Sequence, residues 1–239
     1  MNRVAILGSG EYATHVARMC LDIAETSVVG FVDGSVPKGT MVAGLPVVGR
    51  DEDVDSLVEQ GVMDSIFIGI GYEHFDVRAR LFERFCGTVP IASIVHPTAN
   101  VSPTARVGRG VLISEGAIVG RDCVLGDNVS VWPGVLLSHD CSIGRHSYLA
   151  PRATLAGRVA VGEKCFLGLN CSVRDGVNIG EEATVGIGCV VIGDVGDNEV
   201  VVGNPHRTLR IREGGGTGSS QCHRLPGIAI ACKGERMVA

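Results

Sequence analysis

VGRDCVLGDNVSVWPGVLLSHDCSIGRHSYLA, residues 119–150, repeats with a period of six, and the same phase runs unbroken from Val95 to Val191. Counting in sixes from Val95 meets an aliphatic residue each time: Val101, Val107, Ile113, Val119, Leu125, Val131, Leu137 and onward to Val191. Four positions after each comes a small or β-branched residue, from Ala99 through Cys123, Cys141, Ala153 and Cys171 to Val195. A helix needs apolar residues at spacings of three and four, and a simple strand needs them at two, so a strict six fits neither. It fits a parallel β-helix, in which each hexad supplies a short strand and a corner and three hexads close one triangular coil. Both columns then stack inside the coil as ladders, and the ~4.8 Å strand spacing makes the prism on the order of 27 Å long. A β-sandwich would place its turn signals about eight to twelve residues apart, without this constant phase.

The 239 residues leave room for one large or two modest domains, and 45% apolar content supplies a core. A net charge of −5 argues against a nucleic-acid surface. Of the nine cysteines, Cys123, Cys141, Cys165, Cys171 and Cys189 fall in the small inward column, where a thiol acts as a small hydrophobe. Cys20, Cys86, Cys222 and Cys232 form no CxxC and sit beside no histidine cluster, so no metal site is expected. Reduced, buried thiols point to the cytoplasm. No signal peptide is apparent before the first strand, and no apolar run reaches the ~18 residues that a membrane span needs.

Ahead of the prism, the apolar run Arg3 to Leu7 meets Gly8-Ser9-Gly10-Glu11-Tyr12-Ala13 and then a helical pattern through Val16, Ala17, Cys20 and Leu21. A second strand, Val28 to Val32, ends at Asp33. Strand, glycine turn, helix and a following acid make a GxGxxA variant of the dinucleotide fingerprint. Its glycines let backbone N–H groups approach a phosphate at a helix N-terminus, and the acid can bind a ribose hydroxyl. A Gly/Pro-rich loop (34–49), a helix (52–60), a strand (65–70), a helix (73–85) and a fourth strand (89–95) complete a small Rossmann-like α/β domain, residues 1–93. The left-over organisation is a β-helix domain, residues 94–213, and a Gly/Ser-rich tail, residues 214–239, expected to be disordered.

The hexads, with Val107-Gly108, Val119-Gly120, Leu125-Gly126 and Ile143-Gly144 at their openings, resemble the hexapeptide-repeat acyltransferases, whose coil is left-handed. The join to a glycine-loop domain, with Ser138-His139-Asp140-Cys141 and Val202-Gly203-Asn204-Pro205, resembles the bacterial sugar acetyltransferases that modify sialic acid or nucleotide-linked aminosugars. The resemblance implies acetyl-CoA as co-substrate, a sugar or nucleotide-sugar acceptor and a homotrimer with active sites between prisms. Glu11 and Tyr12 stand where that family carries Gly-His, and Tyr148 where relatives place a second histidine.

His139 is the third residue of its hexad and so points outward at a corner, followed by Asp140 and, one coil on, by Gly157. Imidazole suits proton transfer near neutral pH, and the resemblance makes His139 the general base, Asp140 its orienting carboxylate and Tyr148 a hydrogen-bond donor to the acetyl oxygen. It also places Gly157, Leu169 and Ile187 along the CoA groove, and Gly8, Ser9, Gly10, Glu11, Tyr12 and Asp33 at the acceptor. Trp132, second in its hexad, is the outward aromatic expected near a contact between prisms, and His96 and His146 read as exposed corner residues. Two other readings are a nicotinamide-binding reductase, from the glycine loop, and a silent assembly scaffold, from the prism.

Overall fold

In the computed structural model, which describes residues 1–212, the first apolar run is strand β1 (Asn2–Leu7). Its alternation serves two cores. Val4 and Ile6 pack with Ala13, Val16 and Ala17 of helix α1 (Glu11–Met19). Ala5 and Leu7 pack on the other side, against Val54 and Leu57 of α2 (Val54–Glu59) and Phe82 and Phe85 of α3 (Phe75–Phe85). A strand covered on both faces is apolar throughout, which is why the run shows no polar alternation.

β2 (Thr26–Val32) lies parallel to β1 and ends at Asp33. The segment 34–49, expected as a loop, instead contributes β3 (Met41–Val42) and β4 (Leu45–Gly49), antiparallel to each other, with β4 parallel to β2. Ala43 and Gly44, at φ 48° and 86°, form the two-residue turn between them, a hairpin signal masked by the surrounding Gly and Pro. β5 (Ser65–Ile68) completes the order β3-β4-β2-β1-β5. The stretch 89–95 is not a fourth strand of that series. It meets the sheet at a single bridge, Ile66 to Ile91, and Ile94–Val95 already pairs with Leu112–Ile113 in the prism. Ile91 serves the α3 side of the domain core, whereas Ile94 packs with Leu112, so one apolar run crosses between the two units.

From Ile94 the chain is a left-handed β-helix with the anticipated register. Each two-residue strand pairs with the strand eighteen positions on, as Ser130 with Tyr148 and Val131 with Leu149. The first face runs through Leu112–Ile113, Ser130–Val131 and Tyr148–Leu149, and closes with Glu199–Val202 and the antiparallel Arg207–Ile211. The second carries Ile118–Val119, Leu136–Leu137 and Thr154–Leu155, and the third Val124–Leu125, Ser142–Ile143 and Ala160–Val161. Ile113, Val131, Leu149 and Leu167 in the aliphatic column, and Cys123, Cys165, Cys171 and Cys189 in the small one, are wholly buried.

A further periodicity governs the corners. Every sixth residue from Gly110 to Gly188 is left-handed, including Asp122, Asn128, Asp140, His146 and Asn170. Gly, Asn and Asp tolerate this conformation best, and they fill much of the column.

The α/β domain packs on the first face, and this corrects two expectations. His96 is buried, with Nδ1 2.8 Å from Thr98 Oγ1. His146 is 3% exposed, edge-on to Phe82 of α3, with Nδ1 3.1 Å from Asn128 Nδ2. Trp132 points out of the prism as expected, and within the chain its ring lies 5.6 Å from that of Tyr12 and 4.8 Å from that of His15. Hexad phase says which side chains leave the prism; it does not say which face is covered. The expected tail, 214–239, lies outside the described residues.

Candidate active site

The strand Leu136–Leu137 leaves the second face and turns at Ser138 to Cys141. His139, the third residue of the hexad, stands exposed on the edge between the second and third faces, and Asp140 takes the left-handed corner at φ 57°. That turn brings Asp140 Oδ2 to 2.7 Å from His139 Nδ1. An ionised carboxylate only accepts hydrogen bonds, so Nδ1 carries the hydrogen and Nε2 presents its lone pair. One coil further along the same edge is Gly157. A Cβ there would lie 2.5 Å from His139 Cε1 and 2.6 Å from Nε2, so only glycine lets the ring lie over the next turn. Arg158 and Asp175 form an ion pair beside it. Cys141 faces inward, and burial pushes its thiol up to about 11, which leaves no thiolate at this edge.

Leu169 and Ile187 are 42% and 55% exposed and stand one coil apart, on the edge between the first and second faces. The second face therefore separates them from His139 and Gly157. Within one chain the expected groove residues border a face from both sides.

The other expected residues converge at the domain junction, around a pocket of about 680 Å³. Gly8 opens it at φ +91°, where a Cβ would come within 2.8 Å of Ile70. Asp33, at the end of β2, accepts from Ser9 Oγ at 2.6 Å and from the Ser35 amide and hydroxyl at 2.8 and 2.6 Å. Desolvation pushes its carboxyl up, but the Ser35 and Ser9 hydrogen bonds outweigh this and hold it below the usual range. α1 starts after Gly10 with no side chain capping its first turn, so its opening amides are available to an anion. Glu11 lines the pocket at that first turn.

The far wall is aromatic. Tyr12 hydrogen-bonds Ser130 Oγ through its hydroxyl at 2.9 Å, and Tyr148 packs against Trp132, Tyr72 and Phe166 with ring centroids 5.0–5.7 Å apart. Burial pushes the Tyr148 phenol up, as do Tyr12 and Tyr72 beside it, so the group stays a donor. Tyr148 thus belongs to this pocket on the first face, while His139 lies across the prism on the opposite edge. Sequence reading passed over His15, Tyr72, Glu73 and His74, which also line the cavity. Two signals could have found them. His15 is one helical turn after Glu11, and Tyr72 to His74 follow the carboxyl end of β5, the level at which open α/β sheets bind ligands.

Among the described residues no cluster of His, Cys, Asp and Glu could hold a metal ion, and no helix is long and apolar enough to cross a membrane.

Known proteins resemble both units. The PglD N-terminal domain matches residues 3–85, the bacterial transferase hexapeptide (six repeats) residues 122–157, and the hexapeptide repeat of succinyl-transferase residues 158–192. No curated protein matches the chain. Among solved structures, PerB from Caulobacter crescentus, in complex with CoA and GDP-perosamine, is 33% identical, with 87% of this chain and 97% of that one covered at a TM-score of 0.80. Variants of the GDP-perosamine N-acetyl transferase from that bacterium, with one histidine changed to alanine or asparagine, match at 34%. The acetyltransferase domain of PglB from Neisseria gonorrhoeae, in complex with acetyl coenzyme A, is 27% identical, with 87% and 99% covered and a TM-score of 0.79. WeeI from Acinetobacter baumannii, at 23% identity over 86% and 99% and a TM-score of 0.75, shares the fold. A third of its residues shared with PerB across nearly that whole protein, on the same two-part fold, is more than the reductase or scaffold readings can accommodate, and the chain belongs to the hexapeptide-repeat sugar acetyltransferases with a PglD-type N-terminal domain.

Proposed function

We propose that the protein transfers the acetyl group of acetyl-CoA to the amine of a nucleotide-linked aminosugar. Residues 1–93 hold the acceptor, and residues 94–213 hold the thioester and perform the chemistry. The observation that carries this reading is an oriented imidazole, His139 on Asp140, standing over the bare backbone of Gly157. The nucleotide-sized pocket at the domain junction supports the acceptor class, as do the ligands of PerB.

In the proposed reaction the acceptor nitrogen attacks the thioester carbonyl while His139 Nε2 takes its proton. The C–N bond forms, the C–S bond breaks, and the imidazolium returns the proton to the departing CoA sulfur. Asp140 stabilises the imidazolium and holds the tautomer. Direct transfer needs no protein nucleophile, which accords with burial raising Cys165 and Cys171 to about 12.

His139 and the pocket lie on opposite sides of one prism, so the complete site takes its base and its acceptor pocket from neighbouring copies, as in a homotrimer. Leu169 and Ile187 of one copy then face the Gly157 edge of the next across the thioester. The free, core-packed thiols of the prism suit the cytoplasm.

The test is thiol release from acetyl-CoA with nucleotide-linked 4-aminosugars and with free sialic acids, alongside light scattering. Acetylation of an aminosugar amine by a trimer is expected. Turnover of sialic acid alone, or an active monomer, overturns the reading.

A further inference from the structure

The pocket at the domain junction presents Glu11, Asp33 and Glu73, and among the described residues no Lys or Arg lines it. A buried cation stands one layer behind. Arg78 of α3 is 1% exposed, and its guanidinium carbon lies 5.4 Å from the centroid of the Tyr12 ring. Tyr12 is itself a wall of the pocket.

The surroundings of this arginine are unusual for a buried charge. Nη1 donates to the Ile70 carbonyl at 2.8 Å, and Nη2 donates to the Asn128 carbonyl at 2.7 Å and to Ser130 Oγ at 2.8 Å. None of these partners is a carboxylate. Nε has no partner among the described residues. A buried charge left without a counter-charge is costly and is ordinarily paired. A more economical tether between the same carbonyls would be neutral.

Its hydrogen bonds and ring contact also reach three separate parts of the fold around the pocket. Ile70 lies in the turn after β5, Asn128 and Ser130 belong to the prism, and Ser130 Oγ in turn hydrogen-bonds the Tyr12 hydroxyl from α1. One side chain therefore ties the β5 turn, the glycine-loop helix and the first prism face into a single wall.

We propose that Arg78 is the charge-matching residue for the acceptor. Its unneutralised charge, acting through the Tyr12 ring and the β5 turn, favours an acceptor bearing phosphate. It offsets Glu11, Asp33 and Glu73, which by themselves would repel a diphosphate. In such a low-dielectric setting a charge acts further than it does in water. The proposal rests on the nucleotide-sugar reading, and it adds the residue that makes an acid-lined pocket accept an anion.

The test compares the wild-type protein with Arg78→Met, which keeps much of the bulk, and Arg78→Lys, which keeps the charge and loses the fork. Binding of GDP and UDP is measured by calorimetry beside guanosine and uridine, with the affinity for CoA as control. Expected is a loss of about tenfold or more in diphosphate affinity for Arg78→Met, a change under about threefold for the nucleosides and for CoA, and substantial recovery of diphosphate binding in Arg78→Lys. Equal loss of nucleoside and diphosphate binding means that Arg78 only packs, and overturns the proposal. Unchanged diphosphate binding in Arg78→Met overturns it while leaving the nucleotide reading intact. If Arg78→Met does not fold, Arg78→Lys decides: recovery confined to nucleosides refutes a role for the charge, and retained diphosphate affinity upholds it. Wild-type protein that binds no nucleoside diphosphate removes the nucleotide reading and this proposal together.

Discussion

The edge that carries His139 and the junction that carries Tyr12 and Tyr148 are built on different principles. At the edge, the imidazole is set by the next residue and by one coil away: Asp140 lies at 2.7 Å, and a Cβ on Gly157 would come within 2.5 Å of the ring. At the junction, the Tyr12 hydroxyl meets Ser130, Arg78 meets Asn128, and Phe82 meets His146, all across the two units. The edge inherits its precision from the repeat, because each coil is a template for the next. The pocket has no template and depends on how one domain sits on one face. The difference teaches that the chemistry should be sensitive to single local substitutions, whereas acceptor recognition should be sensitive to anything that loosens the junction.

The largest effect is expected at the edge. His139→Ala should lower kcat by ~10²–10⁴-fold, the usual worth of a general base, while CoA binding and the assembly state stay as they are. Steady-state kinetics with CoA calorimetry checks this, and retention of more than about half the wild-type kcat would place the base elsewhere.

Gly157→Ala tests whether the stacked geometry matters as much as the imidazole itself. The new methyl must push the ring away from the next turn, and a displacement of about 1 Å at a reacting group costs roughly 10²-fold in rate. A variant with wild-type kcat would show that the ring has another rotamer free for catalysis.

At the junction, Asp33→Ala removes the acceptor-side carboxylate that Ser9 and Ser35 hold in place. Loss of a hydrogen bond to a charged group should raise the acceptor KM on the order of tenfold and leave the acetyl-CoA KM unchanged. Equal rises in both would dissolve the distinction between the two regions.

The smallest effect concerns stability. Burial, with the Arg145 and Arg78 charges nearby, lowers His146 from 6.5 to about 4. Below about 6.5 the unfolded chain gains a proton that the folded protein does not take up until about 4. Stability from this group is therefore whole above 6.5 and lost progressively as the pH falls to 4. His146→Asn, which suits the left-handed corner at φ 64°, should show a flatter Tm across that window. The difference should be at least the roughly 2–4 °C that 1 kcal/mol makes in a chain of this size. Parallel melting curves would mean that the junction does not exclude the charged ring.

What the residues alone determined is whatever repeats or is local. The six-residue phase predicted the inward columns, the strand register and the corner that carries His139, because in a solenoid each position is judged only against its neighbours one coil away. The GxGxxA turn and the acid after β2 located half of the pocket by the same local logic. What only the tertiary structure decided is everything that depends on the packing of one unit on the other. His96 and His146 read as exposed corners and are buried, Trp132 meets Tyr12 across the junction, and the 89–95 run divides between two cores. Arg78 lies on an ordinary amphipathic helix, and nothing in its spacing shows that its partners come from residues some fifty positions away. Periodicity reports which way a side chain points, but burial and pairing depend on what is brought against it, and that is a property of the assembled fold.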